Sequence, residues 1–495
     1  MKKNLLYILI SLCAVFASCD DYLDVAPQTQ VPAEDFFSQE TGYEDALTGC
    51  YIKMNSSNLY GMFLSFSGID YMASYYDKMA ATSDEYAFRT FNYKNSAVES
   101  QFKNTYNELY NIILQANDVI VNIDSQKGKD AVKSELKRNI IKGEALAIRA
   151  FCHFDLLRIF GQLPQNATIT VSLPYSETTG VEDRPLYPYD QFVEKLEKDL
   201  TESLTLLKDD PATLYSLVML SLPSAEMFEA TPYLEDDFYL YRKFRFNYWA
   251  VKALMARFYL YVGDTANAYT TAMEVINAKA SDGNNIVSFA SEHDFSKGNF
   301  TLPTETLMAL SNSNLENMTT TFNDLFKSEQ VTDPMRFTDE RKNELFLGRN
   351  TGNNNRYNRL WGKYTTVTGV PQPYLRKYFQ NEVSMADEDK LVGRWQTPIL
   401  RLSEMYLIAM ECTDNLTELN SLFYTYMVDR NEQPADFTTL EAAKDEIFNE
   451  LRREFIAEGQ MFFAYKRMGA ENMVWSVADV KEENYIVPVP SSEKR

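Results

Sequence analysis

The chain has 495 residues, of which 48 are Lys or Arg and 70 are Asp or Glu, so its formal net charge is −22. This acidic balance argues against nucleic-acid binding, because phosphate contacts need a clustered surplus of Lys and Arg. The two histidines, His153 and His293, exclude a three-histidine metal site and leave little room for histidine acid–base chemistry. Hydrophobic residues make up 45% of the chain, which predicts a sizeable core. We predict no metal and no other cofactor.

Residues 1–18 have the features of a bacterial export signal. A basic start is followed by an apolar stretch over residues 5–16, which is too short to span a membrane. Small residues then lead directly into Cys19. This arrangement resembles a lipobox, in which Cys19 becomes the acylated first residue of the mature chain; the alternative is a generic secretory signal followed by an incidental cysteine. The polar, proline-containing residues 19–35 are predicted to be a lipid-anchored tether.

Three further cysteines are Cys50, Cys152 and Cys412. They are odd in number, lie far apart and include no Cys-x-x-Cys pair, so we predict buried free thiols rather than a disulfide framework.

Apolar residues recur every three or four positions in a series of segments, which predicts helices. Gly263-Asp264 joins two such segments, and small residues at their crossing indicate close packing. Helix pairs of this kind resemble tetratricopeptide units, which stack into a solenoid with one continuous core. The predicted helical segments are 36–58, 102–123, 131–160, 189–208, 248–262, 265–278, 398–412, 416–429 and 440–468.

The segment 131–160 becomes apolar nearly all round after Ala145, which is typical of a buried helix. Its charged residues Arg149, Asp155 and Arg158 must then be paired or reach the surface. His153 within it is predicted to be a packed core histidine.

Periodicity is lost between residues 280 and 397, where Asn, Thr, Ser and Gly dominate. We therefore predict a helical N-terminal part over 36–279, an irregular, loop-rich subdomain over 280–397 and a helical C-terminal part over 398–495. Long loops inside a compact chain are usually functional or disordered, and the aromatic residues of this segment favour an ordered one.

The stretch 353–364 (NNNRYNRLWGKY) combines amide, cationic and aromatic side chains. Such a mixture suits a glycan, because sugars present apolar C–H faces to aromatic rings and polar edges to amides and Arg. The alternative is that Trp361 anchors a long loop on the core, since large aromatic residues are mostly buried. The candidate ligand-binding residues in this stretch are Tyr357, Arg359, Trp361 and Tyr364.

Glu454 and Glu458 are the most visible candidate catalytic pair. A glycosidase needs two carboxyl groups on either side of the scissile bond, whereas a spacing of four on one helix face favours a solvated or salt-bridged surface. Nucleotide-binding, zinc-protease and serine-hydrolase motifs are absent from the sequence. We predict that the protein is not an enzyme.

Five blocks of the sequence resemble the SusD/RagB family of surface nutrient-binding lipoproteins. The most specific is residues 144–164 (EALAIRAFCHFDLLRIFGQLP). After Gly459 the chain departs from the family pattern, which indicates a divergent subfamily. The other blocks are 19–24 with Pro27, 35–37 with 49–51, 400–409 with Glu411, and 452–459 with Lys466 and Arg467.

This resemblance implies a mainly α fold of about four tetratricopeptide-like helix pairs, with an irregular subdomain packed on them. It implies capture of an oligomeric nutrient, a SusC-like TonB-dependent barrel as partner, and anchoring in the cell outer membrane through Cys19. The acidic pair Asp20-Asp21 resembles the signal that sends lipoproteins to the outer face of that membrane.

In SusD-like proteins, residues of the corresponding N-terminal region reach the ligand, so the aromatic-rich stretch 60–95 supplies further candidates. The alternative for them is core packing or contact with the barrel. These candidates are Tyr75, Tyr76, Tyr86 and Phe88.

The ligand class stays open at this point. SusD-like members indicate glycans and RagB-like members indicate peptides, while a carboxylate-based glycan hydrolase and a pure protein-interaction scaffold are the alternatives of another kind. The net charge disfavours polyanionic glycans unless a local basic patch overrides it. Such a patch would consist of Arg349, Arg356, Arg359 and Lys363.

Overall fold

The computed structural model describes residues 33–76, 79–180, 184–296, 298–311, 325–327, 337–366, 369–378, 396–477 and 479–491. The export signal 1–18, Cys19 and most of the tether 19–35 lie outside these described residues. None of the described helices combines the length and the apolar character that a membrane crossing requires.

The described chain is mainly helical, with three short pairs of strands. The helices are α1 (Ala33–Phe36), α2 (Glu40–Met54), α3 (Gly68–Met72), α4 (Asp84–Arg89), α5 (Ser96–Ile123), α6 (Gln126–Ala131), α7 (Glu135–Phe160), α8 (Tyr189–Leu206), α9 (Ala225–Ala230), α10 (Tyr248–Val262), α11 (Thr265–Ile276), α12 (Glu292–Ser296), α13 (Asp339–Leu345), α14 (Asn355–Arg359), α15 (Leu402–Cys412), α16 (Leu416–Val428), α17 (Leu440–Glu454) and α18 (Met461–Met468). The strands are β1 (Leu173–Pro174), β2 (Leu186–Tyr187), β3 (Thr306–Ser311), β4 (Trp361–Thr365), β5 (Pro371–Leu375) and β6 (Gln396–Arg401), paired antiparallel as β1–β2, β3–β6 and β4–β5.

The long helices stack in succession. Helix α5 packs between α2 and α7, and α8 lies between α7 and α10. Helix α11 then joins α10 to α15, which also contacts α16 and α17. The buried apolar side chains of these helices form one continuous cluster. The mainly α, tetratricopeptide-like fold class is confirmed.

Local signals fix the ends of the helices. The Asn95 side chain accepts hydrogen bonds from the first backbone N–H groups of α5, and Ser134 caps α7 in the same way. Gly263 ends α10 with φ of +87°, a conformation that glycine adopts without strain, and Asp264 caps α11. The predicted two-residue junction between these helices is therefore confirmed.

Helix α7 runs through the middle of the core, as its sequence predicts. Arg149 pairs with Asp199 at 2.6 Å, and Arg158 pairs with Asp155. The buried His153 ring stacks on Tyr175 with the ring centroids 3.8 Å apart. The charged residues of α7 are thus paired, and His153 is a core histidine. The thiols of Cys50 and Cys152 are free and buried, and that of Cys412 is free and half-buried.

Two predicted helical segments are wrong in part. Residues 398–401 belong to strand β6, because they pair with β3 rather than continuing α15 towards its N-terminus. The segment 440–468 is broken between α17 and α18, where Ala457 and Gly459 have positive φ values of 62° and 66°. A Cβ atom on Gly459 would lie 1.8 Å from the carbonyl oxygen of Leu64, so only glycine fits at this position.

The Glu454–Glu458 pair is salt-bridged, but it is neither solvated nor on one helix face. Both residues are buried, and α17 ends at Glu454. Arg401 reaches both carboxylates, at 2.7 Å in each case. Arg430 and Arg356 add ion pairs to Glu454 at 3.1 and 3.0 Å. This buried network ties β6, α14 and α16 to the end of α17.

Candidate ligand-binding site

Two of the predicted residues of the stretch 353–364, Trp361 and Tyr364, lie on opposite faces of a hairpin, whereas Tyr357 and Arg359 lie on α14. Strands β4 and β5 pair with Gly362 opposite Tyr374. Because side chains alternate along a strand, Trp361 and Lys363 point to one face and Tyr364 to the other. Tyr364 packs near Tyr374, with ring centroids 6.1 Å apart. A Cβ atom on Gly362 would lie 2.4 Å from the Tyr374 ring, so glycine makes room for it.

Helix α13 supplies side chains next to the first face of the hairpin. Thr338 caps the helix by accepting a hydrogen bond from the Arg341 backbone N–H at 3.2 Å. One turn later, Lys342 places its Nζ 3.8 Å from the ring centroid of Tyr357. The Tyr357 hydroxyl donates to Asn343 Oδ1 at 2.8 Å. Lys363 reaches back to Asp339 at 3.5 Å.

We call Tyr357, Asn343, Asp339 and Lys363, with the buried Lys342 behind them, the Tyr357 surface. Asn343 and Lys363 are exposed, and Tyr357 and Asp339 are half-buried. The surface combines an aromatic ring with an amide, a carboxylate and a cation, which are the groups that recognise sugar rings and hydroxyl groups.

The two regions proposed from the sequence meet beneath this surface. The Phe337 ring lies 5.6 Å from that of Tyr76 and 4.9 Å from that of Trp361, edge to face in both cases. Trp361 is 6% exposed and Tyr76 is 0% exposed. Tyr75 is also buried, and its hydroxyl donates to the Arg452 carbonyl at 2.7 Å. Trp361, Tyr75 and Tyr76 therefore belong to the core, and in this conformation a surface ligand does not reach their rings.

Phe88 is a core residue as well. Its ring lies 5.5 Å from Phe63 and 5.9 Å from Phe102. Tyr86 on α4 is half-buried, and Arg359 is exposed and paired with Glu292. The predicted site residues that reach the surface are Tyr86, Tyr357, Arg359 and Tyr364. A ligand-binding role for them stays a prediction.

The cations proposed as a basic patch are mostly neutralised. Arg356 is buried and paired with Glu450 and Glu454, and Arg349 lies 3.6 Å from Glu432. Lys363 alone among the four is held by a single long contact, to Asp339.

Lys342 has the most unusual electrostatic setting on the Tyr357 surface. Burial lowers the pKa of its ammonium group to about 8; Asp339 opposes this shift and Lys363 adds to it. The ring of Tyr357 compensates part of the desolvation through a cation–π contact.

Sequence reasoning missed Lys342, Asn343 and Phe337, because they fall in the segment interpreted as loop. A usable signal was present: Thr338 followed by two acidic residues is a helix N-terminus pattern. A helix starting there would have placed Asp339 and Asn343 on one face, one turn apart.

Trp475 is a second aromatic residue that the sequence did not single out. It is half-buried with φ of +68°, and its indole N–H donates to Glu344 at 2.7 Å. The guanidinium carbons of Arg341 and Arg452 lie 4.6 and 4.5 Å from its ring centroid. These contacts fix the ring beside α13.

Two grooves in the described part of the chain lie elsewhere. One, of about 630 Å³, runs between Tyr93 and the C-terminal residues 487–491; the other, of about 820 Å³, lies between Asn166 and Tyr485. Neither groove contains a predicted site residue. The Tyr357 surface is therefore distinguished by its chemistry rather than by the depth of a groove.

Known proteins that are similar to this chain are described as SusD-like or as members of the SusD superfamily. Residues 21–226 match the SusD-like family described as starch-binding and associating with the outer membrane. A SusD-like protein, P25, of Formosa agariphila is 23% identical over 289 residues, which cover 56% of this chain and 46% of that protein. The match thus spans about half the length of this curated relative.

Solved structures share the fold over nearly the whole chain. A SusD superfamily protein of Bacteroides vulgatus aligns with a TM-score of 0.69 and 20% identity, covering 92% of this chain and 96% of that one. A laminarin-binding SusD-like protein aligns with a TM-score of 0.61 and 16% identity, covering 92% and 97%. The family match covers the N-terminal part of the chain, and the fold is shared with SusD superfamily proteins over nearly the whole chain.

Proposed function

We propose that this protein captures oligosaccharides at the outer face of the outer membrane and delivers them to a SusC-like TonB-dependent transporter. The match of residues 21–226 to a family described as starch-binding and associating with the outer membrane supports this proposal, as does the shared fold with a protein that binds laminarin. RagB-like capture of peptides is the alternative within the same family.

The observation that carries the glycan assignment is the composition of the Tyr357 surface. The half-buried ring of Tyr357 is held by Lys342 and by its hydrogen bond to Asn343. A rigid aromatic ring loses little conformational entropy on binding, and neighbouring amide and charged groups can meet sugar hydroxyl groups. This ring is the contact that we expect to contribute most to affinity.

We propose that binding occurs without catalysis. The two Glu residues that most resemble a catalytic pair are both engaged by Arg401, and Glu454 is also paired with Arg430. Burial alone would raise the pKa of Glu454, but the guanidinium groups of Arg430, Arg401 and Arg356 hold it well below its usual range. A general acid needs the opposite shift.

Anchoring and delivery complete the proposal. Cys19 would carry the lipid, and residues 19–35 would link it to the folded part. Replacement of Cys19 by Ser should move the protein from the membrane fraction to the soluble fraction of the native host. Co-purification with an outer-membrane barrel, dependent on native expression of both, tests the delivery step.

The binding step is tested by calorimetric titration of the mature soluble chain, residues 20–495. The panel contains laminarin oligosaccharides, oligogalacturonates and mixed oligopeptides, and the titrated compound is checked afterwards for cleavage. Saturable binding of an intact glycan is the expected result. Binding of peptides alone, or cleavage of the glycan, would contradict the proposed function.

A further inference from the structure

The charges around the Tyr357 surface are nearly all compensated within the protein. Arg359 pairs with Glu292, Arg356 with Glu450, and Lys363 with Asp339. Such pairs hold a cation in place and leave little net attraction for an anionic ligand.

Lys342 is the exception. It is 6% exposed, and its Nζ lies 3.8 Å from the centroid of Tyr357 and 5.7 Å from that of Trp361. Its ammonium group forms an ion pair with none of the carboxylates in the described ranges and donates to no described acceptor there. Burying a cation without a hydrogen-bonding counter-charge costs free energy, and two aromatic rings offset this cost only in part.

The groups that face Lys342 explain why its ammonium group has no ion pair among the described residues. Asp339, one turn earlier on α13, is shared with Lys363 of β4. Helix α17 also packs against α13, but its nearby Arg453 is paired with Glu446 and Glu450. Strand β5, which also packs against α13, carries Tyr374 as its one ionisable residue.

We propose that the Tyr357 surface binds an acidic glycan, whose uronate carboxylate or sulfate ester forms the ion pair that Lys342 lacks among the described residues. This inference rests on the proposed function and specifies its substrate class. An anion at this position would meet the ammonium group of Lys342 and, at the exposed rim, that of Lys363. A buried lysine with no counter-ion among the described residues, beside a sugar-type aromatic ring, is an arrangement that an anionic ligand stabilises. This local attraction acts against the long-range repulsion from a chain of net charge −22.

The test combines three variants with a glycan panel. Lys342→Met keeps the apolar stem over Tyr357 and removes the charge, whereas Lys342→Arg keeps a charge at every pH used. The control is Lys444, whose ammonium group pairs with Asp414 away from this surface. Lys444→Met makes the same change in net charge as Lys342→Met. The probes are oligogalacturonates, sulfated carrageenan oligosaccharides, neutral laminarin oligosaccharides and mixed oligopeptides.

We expect one acidic glycan to bind more tightly than the neutral one. Lys342→Met should weaken that binding about tenfold or more, because a charge-assisted contact is lost. The same variant should leave the unfolding midpoint in urea unchanged or raised, a result that a merely structural role would not give. Lys444→Met should change neither quantity.

The pH dependence gives an independent readout. The ligand binds the protonated lysine, so the affinity of the wild type should be full near neutral pH and fall as pH rises through about 8, where Lys342 loses its proton. Lys342→Arg should bind with an affinity that stays constant over the same range. A wild-type affinity that is flat to well above that pH would overturn the assignment to Lys342.

The two proposals fail in different ways. Equal binding of neutral and acidic glycans, or acidic binding that Lys342→Met leaves intact, overturns the acidic-glycan inference and leaves glycan capture standing. Binding of oligopeptides with no glycan overturns both.

Discussion

Replacement of Trp361 by Ala separates a core role from a ligand-contact role. The Trp361 side chain is 6% exposed and packs edge-on against Phe337 at 4.9 Å. A buried aromatic ring of this size removes about 200 Å² from water, which at about 25 cal/mol/Å² amounts to at most about 5 kcal/mol. Measured truncations of buried Phe and Trp cost about 3–5 kcal/mol. We therefore expect Trp361→Ala to lower the free energy of unfolding by about 4 kcal/mol.

The assay is urea denaturation together with titration of the glycan that binds the wild type. Because the Trp361 side chain is almost fully buried, affinity should change by less than about threefold, an effect transmitted only through Lys342 and Phe337. The matched variant is Tyr357→Ala, which removes a half-buried ring: its affinity should fall about tenfold, with a smaller loss of stability than in Trp361→Ala. Unchanged stability with a large loss of affinity in Trp361→Ala would refute the core assignment.

Three further predictions concern the buried network and the turn after α17. Replacing Glu454 by Gln should cost about 3–5 kcal/mol in urea denaturation, because it leaves the guanidinium of Arg401 and its neighbours undercompensated; a loss below about 1 kcal/mol would show that the network is not needed. Arg356 and Arg453 hold the pKa of Glu450 at about 2 against the opposing effect of its burial, below its ordinary value of 4.5. Its folded pKa is depressed, so the stabilisation, about 3 kcal/mol, is fully present above pH 4.5 and is lost as pH falls toward 2; the destabilisation by Glu450→Gln should shrink over that range, and a pH-independent difference would contradict this. Gly459→Ala should destabilise far more than Gly348→Ala in thermal melts, because both have positive φ but only at Gly459 would the new Cβ meet a carbonyl; equal costs would mean that backbone strain alone decides.

The helical scaffold could be predicted because its signals are local. Helix α7 shows why: its apolar surface is visible within one segment, and Ser134 and Gly161 mark its ends. The junction between α10 and α11 at Gly263-Asp264 was likewise predicted at the correct residues.

Contacts between distant segments were harder to predict. Residues 398–401 have an apolar pattern that suits a helix or a strand, and the choice is made by pairing with β3, about ninety residues earlier. Strand propensity is decided by such partners, which periodicity alone does not show. The break after α17 likewise follows from the close approach of Gly459 to Leu64.

The sequence predicts a candidate site around Tyr357, and its ligand-binding role stays a prediction. The stretch around Tyr357 lies at a surface rich in polar groups. Trp361 points inward because side chains alternate along β4, and the Phe337 ring packs against it. Burial of an aromatic residue depends on its neighbours in space, so the type of residue could not separate Trp361 from Tyr357. Lys342 could be identified only from the tertiary structure, because only the structure shows that none of the described carboxylates pairs with it. The lipid anchor at Cys19, the division into parts and the barrel partner stay predictions.

The most direct test of the central claim is a paired calorimetric titration of the wild type and Tyr357→Ala with oligogalacturonates and laminarin oligosaccharides. The account predicts saturable binding of an intact glycan by the wild type and about tenfold weaker binding by the variant, with a smaller loss of stability than in Trp361→Ala. Equal affinity of the two proteins for the same glycan would contradict it, because the ligand would then bind away from the Tyr357 surface.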